Sequence, residues 1–142
     1  MGACSHSARG TSSLISDASA IRGTVTLSTR HVEFFQGIDF AALNAPITEI
    51  AFLRLRNDAP REQIEALEQA LRTGVEEAEG SHPPSIQGRV KEFPNDLAVF
   101  VGWDSREAHA ANAAKLTLEF LQLLGATVAS HTLQFSELNR IM

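Results

Sequence analysis

The chain has 142 residues, 44% of them apolar and 20% charged, the composition of one globular domain with a single core. Its net charge of −5 at pH 7 argues against a general nucleic-acid binder, which needs a basic face to displace counterions. No apolar run reaches the ~20 residues that span a bilayer, and the single cysteine, Cys4, has no partner for an intrachain disulfide.

Residues 1–31 are rich in Ser, carry Arg9, Arg22 and Arg30, and hold one acid, Asp17. Such a composition buries little, so residues 1–45 are expected to form an N-terminal extension, partly disordered. Its Ser/Arg-rich, acid-poor character also fits an organelle transit peptide, so the location is read as cytoplasmic, with an organelle as the alternative. Within the extension, "TVTLS" (24–28) alternates as a short strand does. Phe34, Phe35 and Phe40 call for something to pack against.

From residue 46 to 142 the signals are those of one domain. "ITEIAFLRLRN" is a strand by its β-branched and aromatic content. Asp58 is placed to cap the following helix, with Pro60 early in it. Ile64, Leu67, Leu71, Val75 and Ala78 recur at helical spacing, and "EGSHPPS" ends that helix. "SIQGRVKEF" and "LAVFVGWD" are strands joined by the turn "PNDL". Ser105 caps a second helix, whose core face reads His109, Asn112, Ala113, Leu116, Phe120, Leu123 and Leu124. Gly125 is expected to stop it, and "TVASHTLQF" is the last strand. The order β-α-β-β-α-β is the ferredoxin-like split unit, an α+β fold with a four-stranded antiparallel sheet and both helices on one face.

Such a sheet has a second face, and here that face is apolar too. Ala51, Leu53 and Leu55 oppose Ile50 and Phe52; Leu97, Val99, Val101 and Trp103 oppose Ala98 and Phe100. Leaving Ile50, Phe52 and Phe100 in water would forgo ~1.5–3 kcal/mol each. A homodimer, sheet on sheet, covers them most simply. Residues 24–40, with Val25, Leu27, Phe34 and Phe35, are the other candidate cover.

"ITEIAFLRLR", "IQGRVKE" and above all "VGWDSREAH" resemble the dimeric α/β-barrel superfamily. The resemblance is to its fungal stress-responsive A/B barrel and antibiotic-biosynthesis-monooxygenase-like members, and it covers residues 46–137. It implies two four-stranded sheets, one per subunit, closing a barrel, and a pocket between sheet and helices in each subunit. Members of that superfamily include cofactor-free oxygenases, haem binders, polyketide cyclases and proteins without established chemistry, so the fold does not settle the function.

His109 is the strongest candidate for chemistry. It sits on the apolar helix face four residues after the cap, where an imidazole can serve as general base toward a phenol or methylene. Its bland alternative is a buried His that fixes the helix angle. Glu49, on the side of Ala51 and Leu53, is a candidate acid/base partner, as is His131 in the last strand. Leu53, Val99, Val101, Trp103, Asn112 and Leu116 are the candidate pocket walls, with Trp103 either a stacking wall or a core wedge. Asp104, Ser105 and Glu107 read as helix-start residues, and Arg54, Arg56 and Arg89 as ion-pairing rim residues.

The five His are scattered without HxH, HExxH or CxxC spacing, and no glycine-rich turn follows a strand, so no metal or cofactor is expected. Two functions remain. One is a cofactor-independent cyclase or monooxygenase on an aromatic or polyketide-like substrate, with His109 as base. The other is a non-catalytic, stress-responsive structural or ligand-binding dimer. Partners are a second copy and a hydrophobic small molecule, with no nucleic acid and no membrane span.

Overall fold

The computed structural model describes residues 29–35 and 39–138. The strand expected at residues 24–28 lies outside them, as do Val25 and Leu27. The elements are β1 (Val32–Phe34), α1 (Ala41–Asn44), β2 (Ile47–Leu55), α2 (Arg61–Glu77), β3 (Ser81–Val90), β4 (Asp96–Trp103), α3 (Arg106–Ala113), α4 (Leu118–Thr127) and β5 (Val128–Ser136). The sheet runs β1-β3-β4-β2-β5, antiparallel throughout. The four expected strands stand in the ferredoxin-like order, and β1 adds a fifth on the β3 edge.

The core between sheet and helices follows the residue periodicities. Leu53, Leu55, Leu97, Val99, Val101 and Trp103 face α2 and α4, from which Leu67 and Val75 are buried and Ile64, Leu71, Phe120, Leu123 and Leu124 pack in. Asp96 is buried at the start of β4, where its carboxylate takes both Nε and Nη2 of Arg54 at 2.6 and 3.0 Å. This bidentate pair holds the Arg54 guanidinium still more firmly protonated than usual.

Several boundaries differ from the sequence reading. Pro60, not Asp58, is the N-cap of α2, and no side chain caps that helix. The strand expected from Ser85 starts at Ser81, because "SHPP" continues beside β4 across a break in register between His82 and Ile86. The helix expected from Ser105 onward is two helices. It stops at Ala113, and Thr117 caps a new one, its Oγ1 accepting from the Phe120 N–H at 3.1 Å. A Thr with its side chain turned back to the backbone competes with helix continuation. Gly125 does not end α4, which runs on to Thr127.

The second face is covered in part by the chain itself. Ala42 and Leu43 of α1 are buried in a cluster with Ile86, Val90, Ala98 and Phe100, and Val32 and Phe34 of β1 pack against it. The Thr48 hydroxyl donates to the Ala42 carbonyl at 2.7 Å and ties α1 to the start of β2. At the start of β1, the His31 N–H and ring both reach the Glu92 carboxylate, which holds that carboxyl down to about 2. Ile50 and Phe52 are left half-buried, with the Arg30 guanidinium 4.7 Å from the Phe52 ring centre.

Gly102 shows how close the α1 seat is. A Cβ there would stand 2.6 Å from the Ala45 Cβ and 3.0 Å from the Ala42 Cα. Gly102→Val is therefore expected to cost about 1–3 kcal/mol through overpacking. Urea unfolding checks this; an unchanged midpoint would mean that α1 is not seated there.

Candidate functional site

Glu49, Trp103, His109 and Phe135 meet at one end of the sheet. Strand register puts the first, second and fourth of them together. Glu49 lies opposite Val101 of β4 on one side and opposite Phe135 of β5 on the other. Trp103 ends β4 two residues after Val101, on the same face. The chain then turns at Asp104, and Ser105 starts α3 by accepting from the Ala108 N–H at 3.1 Å. That cap fixes the rotation of α3 and brings His109, four residues on, back over the sheet.

The contacts are specific. The Trp103 Nε1–H donates to Glu49 Oε1 at 2.8 Å. Glu49 Oε2 stands 3.6 Å from His109 Nε2, an ion-pair distance slightly too long for a hydrogen bond. The imidazole is held edge-to-face on both sides, 5.4 Å from Trp103 and 5.0 Å from Phe135 between ring centres. The Arg106 guanidinium lies 5.0 Å from the Phe135 ring centre. Trp103 is buried, but the Glu49 and His109 side chains keep 13% and 23% of their surface, so the pair is reachable from solvent.

The other candidate residues fall elsewhere. His131 is exposed and pairs with Leu53, four residues along β5 from Phe135, which is roughly 13 Å at strand rise. Leu53, Val99 and Val101 are core residues under the helices. Asn112 is half-buried on α3, one turn after His109. Leu116 is exposed in the α3–α4 connection. Two cavities, of about 420 and 90 Å3, open beside α2 and β3, and no residue of the Glu49–His109 group lines either. Among the described residues no cluster of three or more His, Cys, Asp or Glu could hold a metal, and no helix is long and apolar enough to cross a membrane.

Phe135 and Arg106 are members of this group that the sequence reading passed over. The signal was there in the strand parity, which puts Phe135 on the Glu49 face once β2 and β5 are paired.

No family model and no curated protein matches the chain. Solved structures do. A candidate antibiotic biosynthesis monooxygenase from Bordetella bronchiseptica superposes with a TM-score of 0.53 at 22% identity, over 63% of this chain and 93% of that one. A Mycobacterium tuberculosis protein gives 0.51 at 20% identity, over 65% and 93%. A conserved protein from Methanosarcina mazei gives 0.54 at 14% identity, over 68% and 95%. What the chain shares with these proteins is the ferredoxin-like fold seen in its strand order. At these identities the likeness concerns the fold alone, and what the site does is argued from its own residues.

The pairing of Glu49 with Trp103 gives a clean mutational split. Glu49→Leu strands the Trp103 N–H without an acceptor and is expected to cost about 1–3 kcal/mol. Glu49→Gln keeps an acceptor oxygen, so its denaturation midpoint should stay near that of the native chain. Equal losses in the two variants would show that the indole bond contributes nothing.

Proposed function

We propose that the protein binds a small aromatic or polyketide-like molecule at the Glu49–His109 end of the sheet and acts on it by cofactor-independent acid–base chemistry. The observation that carries this reading is the shared carboxylate. One oxygen of Glu49 is fixed by a buried indole N–H, which leaves the other aimed at an imidazole that solvent can reach. In that arrangement Glu49 is a positioning residue and counter-charge. His109 is the base, removing a proton from a phenolic hydroxyl or from a methylene next to carbonyls. Glu49 then compensates the positive charge on the ring, as in other carboxylate–histidine pairs. The anion so formed would go on to ring closure, or to reaction with dioxygen in the monooxygenase reading.

The test needs no knowledge of the natural substrate. The full chain should accelerate deuterium exchange at the methylene of 1-phenylbutane-1,3-dione in D2O, saturably in the diketone, as followed by proton NMR. Exchange that is unaffected by the protein, or that rises linearly with diketone, would contradict the base assignment.

A second reading is favoured by one feature of the same site. The His109 ring is gripped between Trp103 and Phe135, which would also suit a pin that sets the angle of α3 in a non-catalytic dimer. In either reading the functional unit is a homodimer. Residues 129–134 of the edge strand β5 are exposed, Leu133 among them, and Ile50 and Phe52 are only half covered. Light scattering of the full chain should give twice the chain mass; the mass of one chain would leave the dimer without support.

A further inference from the structure

Arg106 is the first residue of α3, and it is exposed. Its surroundings differ from those of the arginines elsewhere in the sheet and helices. Arg54 holds the Asp96 carboxylate, Arg61 that of Glu65 and Arg89 that of Glu68. Arg56 donates to the Gly125 carbonyl, and Arg72 to Gln69 Oε1. Arg106 has no oxygen partner among the described residues, and meets the Phe135 ring instead, 5.0 Å from the ring centre. The same ring centre is 5.0 Å from that of the His109 imidazole. Arg106 and His109 stand three residues apart on α3, a spacing that puts both on one side of a helix. Phe135 therefore bridges the guanidinium and the imidazole. A ring contact occupies none of the five guanidinium N–H groups as hydrogen-bond donors. Two of them, in a fixed fork, fit both oxygens of one carboxylate.

We infer that Arg106 determines the specificity of the Glu49–His109 site, and that the molecule bound there is an aromatic or polyketide-like carboxylic acid. This rests on the reading that a small molecule binds beside His109, and it narrows the class of that molecule. The carboxylate sits in the Arg106 fork, and the hydroxyl or methylene that loses its proton lies at the imidazole. The two groups therefore stand at different ends of the bound molecule, and the acid group is an anchor rather than the reacting centre. An acid needs such an anchor here. The chain carries a net charge of −5, Glu49 stands 3.6 Å from His109 Nε2, and Glu107 follows Arg106 in the chain. An anion meeting those charges without a local cation would be repelled. The Phe135 ring also displaces water from part of the guanidinium, which strengthens its pull on an anion over that of a fully solvated arginine.

The probes are 6-hydroxy-2-naphthoate and its neutral counterpart 6-hydroxy-2-naphthamide, each titrated at neutral pH into the 15N-labelled full chain. Both should move the Trp103 indole signal saturably, and the acid should bind about five- to tenfold more tightly than the amide. Raising the salt to about 1 M should narrow that preference, because the guanidinium is open to solvent. Arg106→Gln should make the two affinities equal, and Arg106→Lys, which keeps the charge without the fork, should restore part of the difference. Equal affinities in the native chain, a preference that persists in Arg106→Gln, or a preference indifferent to salt would each overturn the role of Arg106. The salt series needs no variant, so a misfolded Arg106→Gln leaves the test intact. Diketone exchange separates this role from that of the base. A salt-sensitive preference for the acid without any methylene exchange would uphold Arg106 and remove His109 as base. Exchange without a preference would overturn Arg106 alone, and no saturable shift with either naphthalene would overturn both.

Discussion

Replacing His109 by Gln is expected to slow protein-catalysed methylene exchange roughly 10²- to 10⁴-fold, the span attributed to a positioned general base. Gln keeps a polar side chain of similar reach over the sheet but has no basic nitrogen. The melting temperature should move by no more than a few degrees, since His109 is held by ring contacts rather than by a buried hydrogen-bond network. Glu49→Gln separates positioning from base chemistry. It keeps the oxygen that accepts from Trp103 and removes the charge 3.6 Å from the imidazole. Exchange should fall in this variant by less than in His109→Gln, in the rate rather than in the diketone concentration at half-saturation. If His109→Gln instead unfolds the chain and Glu49→Gln exchanges at the native rate, His109 is the pin of α3 and nothing more.

The largest stability effect is expected in the core under α2. Leu67 of α2 is fully buried, in one core cluster with Leu53, Leu97 and Val99 of the sheet. Leu67→Ala should cost about 2–5 kcal/mol, from lost apolar burial plus the cavity left when α2 cannot collapse onto the sheet. Urea denaturation measures it. The expected midpoint shift comes without loss of the Trp103 indole bond, whose acceptor is Glu49 and to which Leu67 contributes no atom. A loss below 1 kcal/mol would mean that α2 moves as a loosely docked element.

Much of this architecture was legible in the residues. The period-two strands and the apolar stripe from Ile64 to Ala78 are direct consequences of which side chains can leave water, so the ferredoxin-like order followed from them. Boundaries set by hydrogen bonding were less readable. The run from His109 to Leu124 keeps helical spacing across Leu116, and only the Thr117 hydroxyl, capping a new helix, breaks it. Two prolines in "SHPP" read as a loop, yet the strand runs through them, since each costs a ladder bond only where its N–H would have faced a neighbour. The short α1 gave no amphipathic signal in four residues; its place is set by the absence of a side chain on Gly102.

The site was legible in its parts. His109 and Glu49 fall on one face by parity, and the sequence pairs them as a conjecture. That Trp103 orients the carboxylate, and that Phe135 closes the other side of the imidazole, depends on the register of three strands that no local pattern encodes. His131 shares the parity of Phe135 but stands far along the strand, because parity fixes the face and not the position.

The central claim is that a small aromatic molecule binds where Trp103, Glu49 and His109 meet. Trp103 is the chain's only tryptophan, so its indole N–H gives one NMR signal that reads this site alone. The most direct measurement is a titration of the full chain with 1-naphthol, following that signal in the native protein and in His109→Ala. A saturable shift in the native chain, weakened at least tenfold in a variant with an otherwise native spectrum, is the expected result. No saturable shift, or one of equal affinity in His109→Ala, would contradict the claim.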